Sequence, residues 1–167
     1  MDIQSYKKKI FSTYNVFSLL ITLVIYFFDR ITKIKIIKHQ ENNNEVFVND
    51  YLNLELIWNT GIGFGLLSSS ANMFYHFITF FILIVILVIL FLVLISKKTD
   101  KILYSLILGG ALGNLHDRVT YFAVPDFIDF HYGVYHWFTF NVADVFITIG
   151  IILMILKELI YKENENN

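Results

Sequence analysis

The chain of 167 residues contains no cysteine. That excludes a disulfide framework, a thiol nucleophile and any thiolate metal site. Charge is scarce as well: only 16% of the residues are Asp, Glu, Lys or Arg, against about 25% in an ordinary soluble domain. An excess of basic residues is also missing, since the net charge is −1, so nothing marks a nucleic-acid surface. The five histidines, His39, His76, His116, His131 and His136, show no HExxH-type spacing and are read singly. No metal site and no cofactor are expected. There is one proline, no low-complexity linker and no internal repeat, which leaves one domain over residues 1–167.

What fills the chain instead is apolar: 56% hydrophobic, 17% aromatic, with a mean hydropathy of +0.61. Four apolar segments approach the ~20 residues needed to cross a hydrocarbon core. They run over about 16–37, 73–95, 102–120 and 140–160. The second is almost purely Phe, Ile, Leu and Val. The first is broken by Asp29, Arg30 and Lys33, and the fourth opens on Asn141 and Asp144. Between the first two, residues about 45–65 alternate apolar and polar from Val46 to Trp58, then meet Gly61, Gly63 and Gly65. This reads as short strands on the membrane surface, ending in a glycine-punctuated turn and able to support an extended peptide. The segment at about 121–139 reads as a second loop on the same side. The fold expected is an all-α membrane protein of four transmembrane helices with a small extracytoplasmic β-sheet platform.

Lysines set the orientation. Lys7, Lys8 and Lys9 precede the first span, Lys97, Lys98 and Lys101 fill the second connection, and Lys157 and Lys162 close the fourth. The connections 39–72 and 121–139 carry no Lys or Arg. The positive-inside rule therefore puts both termini and the 97–101 turn in the cytoplasm. Trp58, Tyr121, Tyr132, Tyr135 and Trp137 then fall at the outer interface. Lysines ahead of an apolar run resemble a secretory signal. Yet Asp29-Arg30 stands where a small-residue cleavage site would be, so a retained first span is expected.

Asp29, Asn59, Asn114, Asp126, Asn141 and Asp144 all fall near that outer face. Ionisable residues there are costly and are functional candidates by default. Two carboxylates held together cannot both ionise easily, so one keeps a proton while the other can act as a base. Asp126 and Asp144 are the pair so read. Helical spacing allows Asp29 to meet Lys33, Asn114 to meet Arg118 and Asn141 to meet Asp144. For the first two pairs, structural glue and a supporting role both stand open. Asp117 reads as an interfacial partner of Arg118 and His116 as a helix-face residue, while Asp129 reads as solvated, with a second-site acid as the alternative. Gly109, Gly110 and Gly113 would admit a neighbouring helix.

Five blocks carry a family resemblance: DRITK at 29–33, NTGIGFG at 59–65, GGALGNLHDR at 109–118, VPDFIDF at 124–130 and FNVADVFI at 140–147. In order and spacing they resemble the lipoprotein signal peptidase family, also called signal peptidase II, the bacterial aspartyl membrane proteases. The resemblance implies four transmembrane helices with a small extracytoplasmic sheet and a short periplasmic helix. It implies a catalytic pair at Asp126 and Asp144, with Asp29, Lys33, Asn59, Gly61, Gly109, Asn114, Arg118 and Asn141 supporting or lining the site. Pro125 and His116 depart from the family pattern, and Pro125 bears on the local backbone rather than the chemistry.

The implied activity is an aspartic endopeptidase that removes the signal peptide of diacylglyceryl-modified prolipoproteins before the lipidated cysteine, by dyad-activated water. The partners implied are lipid-modified prolipoproteins and membrane lipids, without nucleic acid. The implied location is the bacterial cytoplasmic (inner) membrane, as a monomer. A proton-coupled transporter or channel subunit is the competing class, because intramembrane aspartates can relay protons. The clustering of polar residues at one face and the apolar second span argue against a continuous path. A scaffold without chemistry leaves the polar clusters unexplained.

Overall fold

The computed structural model describes residues 12–40, 46–61 and 73–165. Among these residues, four helices and four strands follow in the order α1 (Thr13–Gln40), β1 (Val46–Asn49), β2 (Leu52–Asn59), α2 (Met73–Ile95), α3 (Lys98–Tyr121), β3 (Val124–Tyr132), β4 (Tyr135–Phe140) and α4 (Val142–Glu165). The chain is thus mostly helical with one small antiparallel sheet of order β1-β2-β3-β4. Helix α3 is the centre of the bundle and packs against α1, α2 and α4.

The bundle is apolar outside and polar inside. Along α1 the buried residues are Asn15, Ser18, Thr22, Ile25, Asp29, Arg30, Lys33 and Ile36. Their spacing of three and four keeps them on one face. Phe17, Val24 and Phe27 on the other face are each more than half exposed. A helix in water is arranged the opposite way. Two of the helices, over Thr13–Gln40 and Tyr75–Ile95, are long and apolar enough to cross a membrane. The other two carry Asp117 and Arg118, and Asp144 and Lys157, within their lengths.

Small residues let the helices meet. A Cβ on Gly109 would lie 2.8 Å from the Cβ of Ile25, so α1 and α3 touch at backbone distance. Further along the same side, a Cβ on Gly113 would collide with the Asp29 carboxylate of α1, while on the α4 side one on Gly110 would collide with the Ala143 carbonyl. At the opposite end of the bundle, Lys101 is buried and donates to the Val93 carbonyl at 2.6 Å and the Leu94 carbonyl at 2.7 Å. It thereby closes the C-terminus of α2, where free carbonyls and the helix dipole favour a cation.

The segment 121–139, read as a loop, folds into strands instead. Helix α3 ends at Phe122 in the left-handed region (φ 55°), and β3 and β4 follow as a hairpin turning at Gly133 (φ +59°). Its aromatic and β-branched residues suit a pleated surface, a preference that the polar Asp126, Asp129, His131 and His136 obscure in the sequence. Pro125 is tolerated because β4 pairs only with Ile128–Tyr132. At Pro125 the strand has β2 on one side, with Trp58 opposite, and so behaves as an edge that can spare an N–H. Of the turn expected after β2, Gly61 is described and Gly63 and Gly65 lie outside the described residues.

Candidate active site

Asp126 stands on β3 and Asp144 in the first turn of α4, and Asn141 between them touches both. The Asn141 Nδ2 donates to Asp126 Oδ1 at 2.6 Å. Its Oδ1 accepts the Asp144 N–H at 3.1 Å, and its own N–H donates to Asp144 Oδ2 at 3.2 Å. Asn141 is thus the N-cap of α4 and Asp144 its reciprocal partner three residues on. The cap does more than start a helix: it fixes one carboxylate relative to the other.

Each acid has a second amide. Asn59, at the end of β2, donates from Nδ2 to Asp126 Oδ2 at 2.8 Å. Asn114 on α3 donates to Asp144 Oδ1 at 2.8 Å. Asp126 is 2% exposed. Burial, and next the charge of Asp144, push its carboxyl up to about 7, against the opposing pull of the Asn59 and Asn141 amides. Asp126 is therefore a carboxylic acid able to hold a proton near neutrality.

Behind the acids lies a buried ionic cluster. Lys33 Nζ, fully buried, reaches Asp29 Oδ2 at 2.8 Å, Asp117 Oδ2 at 2.7 Å and Asn114 Oδ1 at 2.8 Å. The ammonium donates hydrogen bonds to Asp117 and Asn114 and lies at ion-pair distance from Asp29, the kind of compensation that a charge removed from water requires. Asp117 also pairs with Arg30. Asp29 Oδ1 accepts the Ala143 N–H at 3.0 Å at the start of α4, where a negative charge complements the helix dipole. Lys33 thus reaches Asp144 through one side chain, Asn114.

Two expected partners turn out differently. Asp117 is not an interfacial partner of Arg118; it is fully buried and neutralises Arg30 and Lys33. Asn114 does not pair with Arg118 but links Lys33 to Asp144. The reason is geometric: successive helix positions point about 100° apart, so Asp117 faces α1 while Arg118 turns toward α2 and the strand end. Arg118 donates to the Gly61 carbonyl, and its own carbonyl accepts the Tyr75 hydroxyl at 3.0 Å. The Gly61 N–H in turn donates to Asn59 Oδ1 at 2.9 Å, which orients the amide that holds Asp126. Gly109 lies in the α1–α3 contact rather than among the polar groups. His116 sits on an exposed helix face, bonded to the Tyr26 hydroxyl at 2.8 Å.

Asp144, Asn114 and Arg118 open on a cavity of about 240 Å³, otherwise lined by Ile82, Ala111, Ile147 and Thr148. The Arg118 Nη1 is buried without a hydrogen-bond partner. A buried donor of this kind is costly unless a ligand carbonyl fills it. The site combines a proton-holding acid, a second carboxylate and an unused cationic donor beside a mostly apolar cavity.

Arg30, Asp117 and Tyr75 join the polar network around the pair, a placement that motif reading did not give them. The signal for Asp117 was its spacing of four from Gly113 and three from Asn114, which puts it on the same face of α3.

Residues 21–160 match the family model for signal peptidase (SPase) II. The lipoprotein signal peptidase of Pelagibacter ubique (strain HTCC1062) is 45% identical over 152 residues, 90% of this chain and 92% of that protein. That of Anaplasma phagocytophilum (strain HZ) is 35% identical over 145 residues, covering 87% and 93%. Among solved structures, a bacterial membrane enzyme determined by the in meso method at 2.3 Å superposes with a TM-score of 0.72 at 33% identity, over 88% of this chain and 90% of that one. Another, at 1.9 Å, gives 0.69 at 33% identity over 85% and 92%. With the match running from inside α1 to nearly the end of α4, the chain belongs to the signal peptidase II family of peptidases.

Proposed function

We propose that the protein is an aspartic endopeptidase that removes the signal peptide of diacylglyceryl-modified prolipoproteins, cleaving before the lipidated cysteine. The observation that carries this reading is the bridging of Asp126 and Asp144 by the single side chain of Asn141. Two carboxyl groups so held can share one proton, which is what activation of water by an acid pair requires.

In the reaction, Asp144 as carboxylate takes a proton from a water whose oxygen attacks the scissile carbonyl carbon. Asp126 as acid donates a hydrogen bond to the carbonyl oxygen, which gains the electron pair and becomes a gem-diol on receiving the Asp126 proton. The proton on Asp144 then passes to the leaving amine as the C–N bond breaks. One diol hydroxyl returns a proton to Asp126, and the carboxyl product forms. Atoms balance with one water consumed and no covalent acyl-enzyme. The Asn59, Asn114 and Asn141 amides keep both carboxyls aimed, and Arg118 Nη1 is placed to hold a substrate carbonyl.

The site architecture also supports a location. The apolar exterior of the helices favours a bilayer, with four spans and both termini cytoplasmic in the bacterial inner membrane. Trp58, Tyr121, Tyr132, Tyr135 and Trp137 are all exposed on the sheet side, as interfacial aromatics are. The lipid chains of the substrate then stay in the bilayer while its backbone enters at the sheet edge, and the enzyme acts as a monomer. The deciding experiment is cleavage of a lipidated prolipoprotein by the purified protein in vesicles. Lipidated substrate should be shortened and its unlipidated counterpart spared. Vesicles that move protons but leave the substrate intact would favour a transporter.

A further inference from the structure

Asp129 was expected to be solvated. It is 1% exposed, and it lies against two histidines: His136 Nδ1 is 2.7 Å and His131 Nδ1 3.4 Å from its Oδ2. Donor atoms of Asp129, His131 and His136 all fall within 4.8 Å of one another. We propose that these three residues bind one divalent cation of the zinc type, outside the catalytic pair.

The placement follows from the hairpin. Asp129 and His131 are two apart on β3 and share a side of the strand, and His136 on β4 is the direct cross-strand neighbour of His131. The two imidazole rings stack at 5.2 Å. A tetrahedral zinc with nitrogen and oxygen ligands near 2.0–2.2 Å needs donor atoms about 3.3 Å apart, close to the spacings already present.

A second observation points to a ligand. Asp129 Oδ1 and His131 Nδ1 are buried without hydrogen-bond partners, and so is Asn53 Oδ1. Asn53 is the cross-strand neighbour of Asp129 on β2. Three unfilled polar atoms, on residues each more than nine-tenths buried, converge on one end of the sheet. Water-poor unsatisfied atoms cost free energy, and a cation would satisfy them together. Two imidazoles with a carboxylate suit zinc, copper or nickel rather than calcium or magnesium. Asn53, cross-strand from Asp129, offers its unfilled amide oxygen as a candidate for a fourth position. Bound by Asp129, His131 and His136, the ion would tie β4 to β3, the strand that also carries Asp126. No hydrogen bond joins this cluster to Asp126 among the described residues, so the site stands independently of the proposed peptidase mechanism.

The test uses the full chain in detergent, purified on a histidine-free tag and stripped with chelator. It is titrated with Zn2+ against a chromophoric competitor. One equivalent should bind saturably. His136→Gln, at a half-exposed position, and Asp129→Asn should each weaken binding at least roughly tenfold, while His76→Gln and His116→Gln should leave it unchanged. A readout that needs no variant is the electron paramagnetic resonance of one equivalent of Cu2+, whose hyperfine pattern should report two imidazole nitrogens. Absence of saturable binding, unchanged affinity in His136→Gln, or a copper signal with fewer than two nitrogens would overturn the proposal.

Discussion

Asn141 and Asp144 cap one another: the Asp144 N–H meets Asn141 Oδ1 at 3.1 Å and the Asn141 N–H meets Asp144 Oδ2 at 3.2 Å. A reciprocal cap ordinarily does no more than start a helix. Here the spare amide hydrogen of Asn141 reaches Asp126 at 2.6 Å, so starting α4 and setting the two acids are one event. Folding of the fourth helix and assembly of the site are coupled through one residue.

The first prediction concerns that pair. Asp126→Asn and Asp144→Asn keep size and hydrogen-bonding capacity but cannot pass a proton. Each should abolish conversion of a lipidated prolipoprotein while the protein remains inserted and abundant. The double variant should be hardly worse than either single one, because neither acid works alone. Full activity in one of them would end the aspartic mechanism.

A second prediction follows from the acid at Asp126, raised to about 7 by burial and by Asp144. Between the ordinary carboxylate value of 3.8 and about 7, the folded state holds a proton that the unfolded state has lost. Stability therefore falls as pH rises through this window and levels off above it. Asp126→Asn removes the dependence, and the variant should gain on wild type above neutrality by a few kcal/mol. Cleavage should decline above pH ~7 as the shared proton is lost. Thermal unfolding at several pH values checks the first, and a pH–rate profile the second. A wild-type stability that climbs between these pH values would contradict the sign.

The third prediction reverses what the sequence suggested for Asp117. Its carboxylate is a buried counter-ion of Arg30 and Lys33, so Asp117→Asn should be destabilising. Breaking one partner of such a buried cluster costs about 3–5 kcal/mol. Lys33→Ala leaves Asp29 and Asp117 without their shared cation and should fare as badly. Both should lose protein level as well as activity, whereas the dyad variants lose activity alone. Normal abundance and activity in Asp117→Asn would show that the cluster is dispensable.

A fourth prediction is topological. Reporters fused after Asn43 and after Asn167 should report opposite sides of the membrane, because the proposed arrangement puts three spans between them. The same side for both would overturn the four-span arrangement.

Sequence by itself determined the helical character of the chain and named the polar residues of the candidate site. Runs such as 80–95 have no favourable state except a helix among apolar surroundings, since each backbone group must then be satisfied within the segment. Carboxylate chemistry and the family resemblance suggested Asp126 and Asp144 as a pair, and the i,i+4 step of Asp29 and Lys33 is a property of any helix. Tertiary structure decided the rest. Whether α3 presents Asp117 or Arg118 to α1 depends on its rotation, which the bare glycines 109, 110 and 113 set by letting α1 and α4 lock against it. The gathering of Asp129, His131 and His136 depends on strand register, a cross-strand relation that no linear spacing of helical type can reveal. The carboxyl of Asp126 owes its affinity for a proton to burial in the folded chain and to the charge of Asp144, which the fold brings close. Desolvation is a property of the folded surroundings and not of the residue.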